Sequence, residues 1–433
     1  MILPPNMSNR SINPLRRKMN ISRRTAVVLG TFLSLILGAA LPSMAQRQFV
    51  LVTGIPPLTL GAHAGADFDG DGDEDVFVTG MGPDGVLHTA LYRFDRRRVV
   101  QPDPLSEPTV YADYTVVPFL KTSVWKGSVN WHDLDRNGRP DIIVSGQALL
   151  GFDGNNVAIF GPVTDIYRND GDAQFTKMDG HGLPFVFNSK AASGDFNSDG
   201  IEDILLGGEL ANGNLMFGLF VGEEGFTYSA GPTTFEGLNV SSISVSDIDA
   251  DGDLDFIVTG TDKNSLPETS IYLNDGQGVF VEKSTNLPDL YFAGTDFGDI
   301  NFDGFDDLLL NGGFISPKFM RGDTGLYIND GAGNFTRSNN VLTGLFGGGV
   351  SLQDLDGDTD SDVFAWGLET LDTVGSEKII VAENIDTFLL PLGSAPSILL
   401  GGIAWFDYDG NGRKDVFLSG NRSGTVTMFI YEF

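Results

Sequence analysis

The chain has 433 residues, with 27 Lys and Arg against 58 Asp and Glu, a formal net charge of −31. Hydrophobic residues make up 41%, enough for a large core, which excludes a disordered chain. There is no cysteine, which excludes a disulfide framework, thiolate zinc sites, a cysteine nucleophile and a lipidated cysteine; the acidic balance repels phosphate backbones and excludes nucleic acid as a partner.

Residues 1–45 stand apart from the fold. They carry Arg10, Arg16, Arg17, Lys18, Arg23 and Arg24 and no acid, then an apolar run from Ala26 to Leu41, then Pro42-Ser43-Met44-Ala45. A basic region, an apolar region and small residues before a cut describe a signal peptide cleaved after Ala45. Met19 as the start leaves the same three regions in place. Ser22-Arg23-Arg24 fits the twin-arginine route and the apolar run fits the general one, so both stay open. The alternative is an uncleaved N-terminal anchor. The chain beyond holds no further run long and apolar enough to span a bilayer.

Residues 46–433 repeat one unit seven times. Its mark is a nine-residue acidic loop, starting at Asp67, Asp133, Asp195, Asp247, Asp299, Asp354 and Asp407, at spacings of 52–66 residues. Each loop runs into a short Val/Ile/Phe/Leu segment ending at glycine, such as DVFVTG and DFIVTG. These segments are too short for helices and read as buried strands. Farther on, Tyr167–Gly171, Tyr272–Gly276 and Tyr327–Gly331 spell Tyr-x-Asn-Asp-Gly, in which Asn and Gly tolerate the positive φ of a hairpin turn.

One unit is therefore strand A, acidic loop, strand B, connection, strand C, tight turn, strand D. The fold class is all-β, a seven-bladed β-propeller of four-stranded blades. The last unit stops after a strand C at Val426–Tyr431, while Phe49–Thr53 is an orphan strand. The N-terminal strand is thus predicted to complete the last blade and close the ring, leaving no open edge.

Within each loop, positions 1, 3, 5 and 9 are Asp or Asn, and position 6 is Gly in six copies. Calcium takes six to eight oxygen ligands, and alternating acidic side chains on a tightly turning loop supply them. The predicted ligands are Asp67, Asp69, Asp71 and Asp75 in the first loop and Asp133, Asp135, Asn137 and Asp141 in the second. The third offers Asp195, Asn197, Asp199 and Asp203, and the fourth Asp247, Asp249, Asp251 and Asp255. Asp299, Asn301, Asp303 and Asp307 form the fifth, Asp354, Asp356, Asp358 and Asp362 the sixth, and Asp407, Asp409, Asn411 and Asp415 the seventh. Up to seven Ca2+ ions follow, one per blade. In the sixth loop Thr359 replaces glycine, and a β-branched residue resists positive φ, so that site is expected to be distorted or weak.

The loop pattern, the strand ending in glycine, and the run Tyr272–Phe280 resemble FG-GAP/VCBS repeats, the family of the integrin α-subunit propeller and of many exported bacterial proteins. The resemblance covers residues 46–433. It implies that calcium stiffens the A–B loops on one face, and that a partner binds the opposite face, built from B–C and D–A connections.

Two units are long. The first has an expected D–A connection at about 102–126, with Tyr111, Tyr114, Phe119 and Trp125, and the second a B–C connection at Gln147–Thr164, with Phe152 and Phe160. Together they could form an aromatic ledge for a sugar or protein, or simply pack the insertions onto the blades. Arg321-Gly322-Asp323 matches an adhesion tripeptide and reads as coincidence. Arg96-Arg97-Arg98 reads as a solvated edge device near a C–D turn, and His63 and His132 as strand A residues. No catalytic constellation stands out, so the expected function is a secreted, extracellular binding or adhesion module for glycan or protein, a monomer with no membrane span once cleaved. The alternatives are a lyase-like polysaccharide enzyme, a structural surface component, and a periplasmic location.

Overall fold

The structure is a computed structural model. It describes residues 48–59, 61–101, 108–118, 123–316, 319–355, 357–370, 377–385, 388–393, 399–408, 413–422 and 425–432. The expected signal peptide at 1–45 lies outside the described residues, and so do Phe119, Asp356, Asp409 and Asn411.

Every element among the described residues is a strand. After β1 (Gln48–Thr53) come β2 (His63–Ala66), β3 (Asp75–Met81), β4 (Leu87–Val100) and β5 (Thr109–Val117). Five four-stranded sheets follow, each in simple antiparallel order. The first holds β6 (Val124–His132), β7 (Asp141–Phe152), β8 (Ala158–Gly171) and β9 (Gln174–Met178), and the second β10 (Phe187–Gly194), β11 (Asp203–Glu209), β12 (Leu215–Glu223) and β13 (Thr227–Ala230). The third holds β14 (Asn239–Ser246), β15 (Asp255–Thr261), β16 (Pro267–Asn274) and β17 (Phe280–Lys283), and the fourth β18 (Tyr291–Gly298), β19 (Asp307–Ser316), β20 (Phe319–Asn329) and β21 (Phe335–Arg337). The fifth holds β22 (Phe346–Gln353), β23 (Asp362–Leu368), β24 (Glu377–Ile385) and β25 (Phe388–Gly393), before the final β26 (Leu399–Phe406), β27 (Asp415–Arg422) and β28 (Thr425–Glu432).

The ends of the chain meet in one eight-stranded sheet, β2-β3-β4-β5-β1-β28-β27-β26. There β1 pairs antiparallel with β28, Gln48 opposite Glu432, as the orphan strand predicts. Its other edge pairs parallel with β5, Val50 opposite Val110. Both edges of β1 are therefore satisfied, which removes an aggregation-prone edge.

Each unit's first strand packs on that of the next: β2 on β6, β6 on β10, β10 on β14, β14 on β18, β18 on β22, β22 on β26, and β26 back on β2. The core lies between neighbouring sheets. Phe77 and Leu91 pack on Val129, Ile142 and Val144, while Leu205 and Phe217 pack on Val240, Phe256 and Val258. The second strands are apolar on both faces because both are covered; Val76, Phe77 and Val78 have no exposed surface. Among the described residues, this propeller-like layering points the acidic loops to one end of the sheets and the second-to-third-strand hairpins to the other.

Three expectations are corrected. Residues 109–117 are not part of a connection but the outer strand β5, antiparallel to β4. Its Tyr-Ala-Asp-Tyr-Thr stretch alternates inward and outward, and Tyr114 is buried. Likewise Gln147–Thr164 is mostly paired strand, with Gln147 opposite Pro162 and Phe152 opposite Ala158, and only 153–157 turns. Finally, Arg96, Arg97 and Arg98 lie in β4, and their guanidinium groups are engaged. Arg96 and Arg98 donate to Asp113, and Arg97 donates to Tyr408 Oη at 2.9 Å and to Glu432, tying the first unit to the last.

Candidate functional site

The acidic loops share one hydrogen-bond plan, seen most plainly in the fourth. Asp247, at position 1, accepts from the N–H groups of Asp251 at 3.0 Å and Gly252 at 3.1 Å. Asp251, at position 5, accepts from Asp253 N–H at 3.0 Å. The chain closes this turn through left-handed residues at positions 4 and 6, Ala250 at φ 60° and Gly252 at φ 97°, and glycine is favoured at position 6 because such φ costs it nothing. The same bonds to position 1 recur at Asp133, Asp195 and Asp299.

Thr359 adopts φ 76° and still donates to Asp354 at 2.9 Å. At its described residues the sixth loop therefore keeps the position 6 bond of the others and carries strain in its backbone.

Position 9 has a second task. Asp255 is fully buried; one oxygen accepts from Ile248 N–H of its own loop at 2.9 Å, the other from Asn274 N–H at the end of β16 at 2.7 Å. Asp141, Asp203, Asp307 and Asp362 make the same two bonds. Burial pushes these carboxyls up, Asp141, Asp255 and Asp307 to about 7, Asp203 to about 6 and Asp75 to about 8.

The donor sets fit a hard cation. Carboxylate oxygens of Asp67, Asp69 and Asp71 converge within 4.8 Å of one another, as do those of Asp133, Asp135 and Asp141 and of Asp247, Asp249 and Asp251. Buried oxygens of Asp75 and Asp249 have no hydrogen-bond partner. Burial, then repulsion from Asp251 and Asp247, raises the pKa of Asp249, the signature of acids crowded without a counter-charge. A carboxylate holding two N–H groups keeps free lone pairs, so the turn bonds and a cation are compatible. The ligands are all oxygen, as calcium requires, and bound calcium would supply the missing positive charge.

The Asn of Tyr-x-Asn-Asp-Gly takes a role its sequence did not announce. Positive φ falls on Gly171, Gly276 and Gly331, while the asparagines are buried clips between sheets. Asn169 Nδ2 donates to Phe68 carbonyl at 2.9 Å and Asn329 Nδ2 to Ile248 carbonyl at 2.8 Å, each the position 2 residue of the preceding loop. The signal was visible only as the recurrence of Asn in the three Tyr-x-Asn-Asp-Gly runs, without geometry to explain it.

At the opposite end, the β7–β8 hairpin projects Leu149, Leu150, Phe152, Ile159 and Phe160 into solvent, Phe152 at 59% exposure. Phe314 and Ile315 do the same on β19. The expected ledge is thus half realised: Phe152 and Phe160 are exposed, Tyr114 is buried, and Tyr111 lies under Arg98 at 4.5 Å. Arg321-Gly322-Asp323 is paired along β20, and Asp323 holds Arg337 at 2.8 Å, so the tripeptide is not displayed. His63 and His132 lie in first strands as expected. His63 is buried against Ser419 and His181 is fixed between Thr164 carbonyl and Leu183 N–H. No helix among the described residues is long and apolar enough to cross a membrane.

The FG-GAP-like repeat matches residues 133–206, 195–258 and 247–310, which span the second to fifth loops. No curated protein matches the sequence. Among solved structures the chain is similar to AofleA from Arthrobotrys oligospora, at 12% identity over 82% of this chain and 90% of that one, TM-score 0.43. It is similar to the fucose-specific lectin from Aleuria aurantia at 10% identity, covering 78% and 99%, TM-score 0.39. It is also similar to the GH32 β-fructofuranosidase BmSUC1 of Bombyx mori at 12% identity, covering 95% and 96%, TM-score 0.35.

Proposed function

We propose that this chain, whose residues 133–310 are FG-GAP-like repeats, is an exported seven-bladed propeller held by calcium that binds a glycan or protein partner on the face away from its acidic loops. Seven blades are supported by the seven first strands packing in succession, with β26 returning to β2. The carrying observation is the difference between the two ends of the sheets. One end is built from converging carboxylates, the other from projecting hairpins with exposed Leu150, Phe152 and Ile315. Large apolar and aromatic side chains held in water cost free energy unless a partner covers them. His63 and His181 are committed to structural hydrogen bonds, which favours a binding module over a lyase that would draw its base from either ring. The module acts as a monomer, its net charge opposing self-association, and export brings it to millimolar calcium, where extracellular modules work.

The test is retention of the calcium-loaded chain on immobilised polysaccharides and cell-surface proteins, with the eluate monitored for unsaturated sugar products. Retention without product is the expected result. Product formation would replace the binding module with a lyase.

A further inference from the structure

Six first strands shift register near the end away from the acidic loops, and four of these shifts open on a left-handed residue. The four lie between Trp125 and Ser128, Phe187 and Lys190, Tyr291 and Gly294, and Phe346 and Gly349. In each the first inserted residue is left-handed: Lys126 at φ 50°, Asn188 at 49°, Phe292 at 52° and Gly347 at 69°. An L-residue pays about 1–2 kcal/mol for that conformation, and glycine does not. Gly347 shows that the bulge works with glycine. Lys126 and Phe292 keep side chains in spite of the strain, Asn188 is of a type that adopts this conformation readily, and all three residues line one cavity of about 430 Å³. Strained residues grouped around one cavity point to a functional site.

The cavity's chemistry is the reverse of the surface. The chain has 58 acidic residues, and none of them lines the cavity, while Lys126 and Lys190 both do. Neither lysine has an ion pair among the described residues; Lys126 lies over the Trp125 ring at 4.5 Å. Water reaches Lys190, yet walls of protein surround it, and that desolvation lowers its pKa, so an anion beside it would be well rewarded. Asn188, whose Nδ2 donates to Glu209 at 3.4 Å, and Asn239 add amides. Phe292, 57% exposed, and Tyr291, whose hydroxyl donates to Ser265 carbonyl, form an aromatic rim.

We propose that this cavity binds a uronate sugar of an acidic polysaccharide, its carboxylate between Lys126 and Lys190, its hydroxyls on the asparagines and a ring face on Phe292. This rests on the binding-module reading and names the ligand class. An inorganic anion would leave the amides and the aromatic rim without a task, and a neutral sugar would leave two cations unpaired.

Titration calorimetry on the full chain with calcium, using trigalacturonate, maltotriose and inorganic phosphate, tests it. Trigalacturonate should bind and the other two should not. Lys126→Gly and Lys190→Gln should each weaken it tenfold or more, since a charge-assisted bond contributes about 1.5–3 kcal/mol. Lys126→Gly and Phe292→Gly should melt at or above the wild-type temperature, because both relieve strain; this separates lost binding from lost folding. Unchanged trigalacturonate affinity in both lysine variants, or equal binding of maltotriose or phosphate, overturns the proposal. Retention of a neutral glycan or a protein by a chain that ignores trigalacturonate overturns the proposal but leaves the binding module standing, whereas a chain retained by nothing overturns both.

Discussion

The side-chain amide of Asn274 donates to the backbone carbonyl of Phe196 at 2.8 Å, across 78 residues of sequence and the boundary between two sheets. The same amide donates to Leu254 carbonyl at 3.1 Å, so one side chain ties an acidic loop to the one before it. Asn274→Ala leaves these buried carbonyls without their donor, at about 1–3 kcal/mol. The expected outcome is a lower urea midpoint with an unchanged slope; an unchanged midpoint would deny the clip its role.

Asp255 and Asp251 should separate latch from metal. Asp255→Ala strands the N–H groups of Ile248 and Asn274, about 1–3 kcal/mol each. Asp251 is exposed and holds one loop N–H. With calcium chelated, Asp255→Ala should therefore melt well below wild type and Asp251→Ala close to it. If both lose the same stability in chelator, the latch is no more than a ligand.

Thr359→Gly should stabilise the chain. Its backbone φ of 76° is one that a β-branched residue resists, and glycine adopts it freely. A gain of about 1 kcal/mol is expected, read as a rise in melting temperature. A fall would mean that the Thr359 side chain holds the loop.

His63 should set part of the acid limb of stability. Burial lowers its pKa from 6.5 to about 4, so the folded state favours the neutral ring. That contribution is complete above the unfolded value of 6.5, is lost as pH falls from there through 4, and amounts to about 3 kcal/mol. In His63→Gln the plot of unfolding free energy against pH should be flatter between these values. An identical slope would place the titration elsewhere.

The acidic loops and the second strands were legible because each needs particular residue types at a fixed spacing, and the resemblance they carry is matched over residues 133–310. The closing role of residues 49–53 was legible too, since an orphan strand at one end and a missing one at the other leave a single pairing. Strand β5 was missed because no Tyr-x-Asn-Asp-Gly turn precedes it; Pro102, Pro104 and Pro108 made the stretch look like a connection. The second task of Asp255 and the clip of Asn274 were hidden, for a ligand and a hydrogen-bond acceptor are the same residue in one dimension. The bulges at Lys126, Asn188 and Phe292 left no trace, because a left-handed strand residue that is not glycine is unmarked in sequence.

The most direct test of the account is calcium titrated into chelator-treated protein, followed by calorimetry and thermal melting. The account predicts several equivalents bound per chain, up to seven. Each site should add about 2.7 kcal/mol once calcium exceeds its dissociation constant a hundredfold, read as a rise in Tm as calcium is bound. Protein that takes up no calcium and melts at the same temperature with and without it would contradict the account.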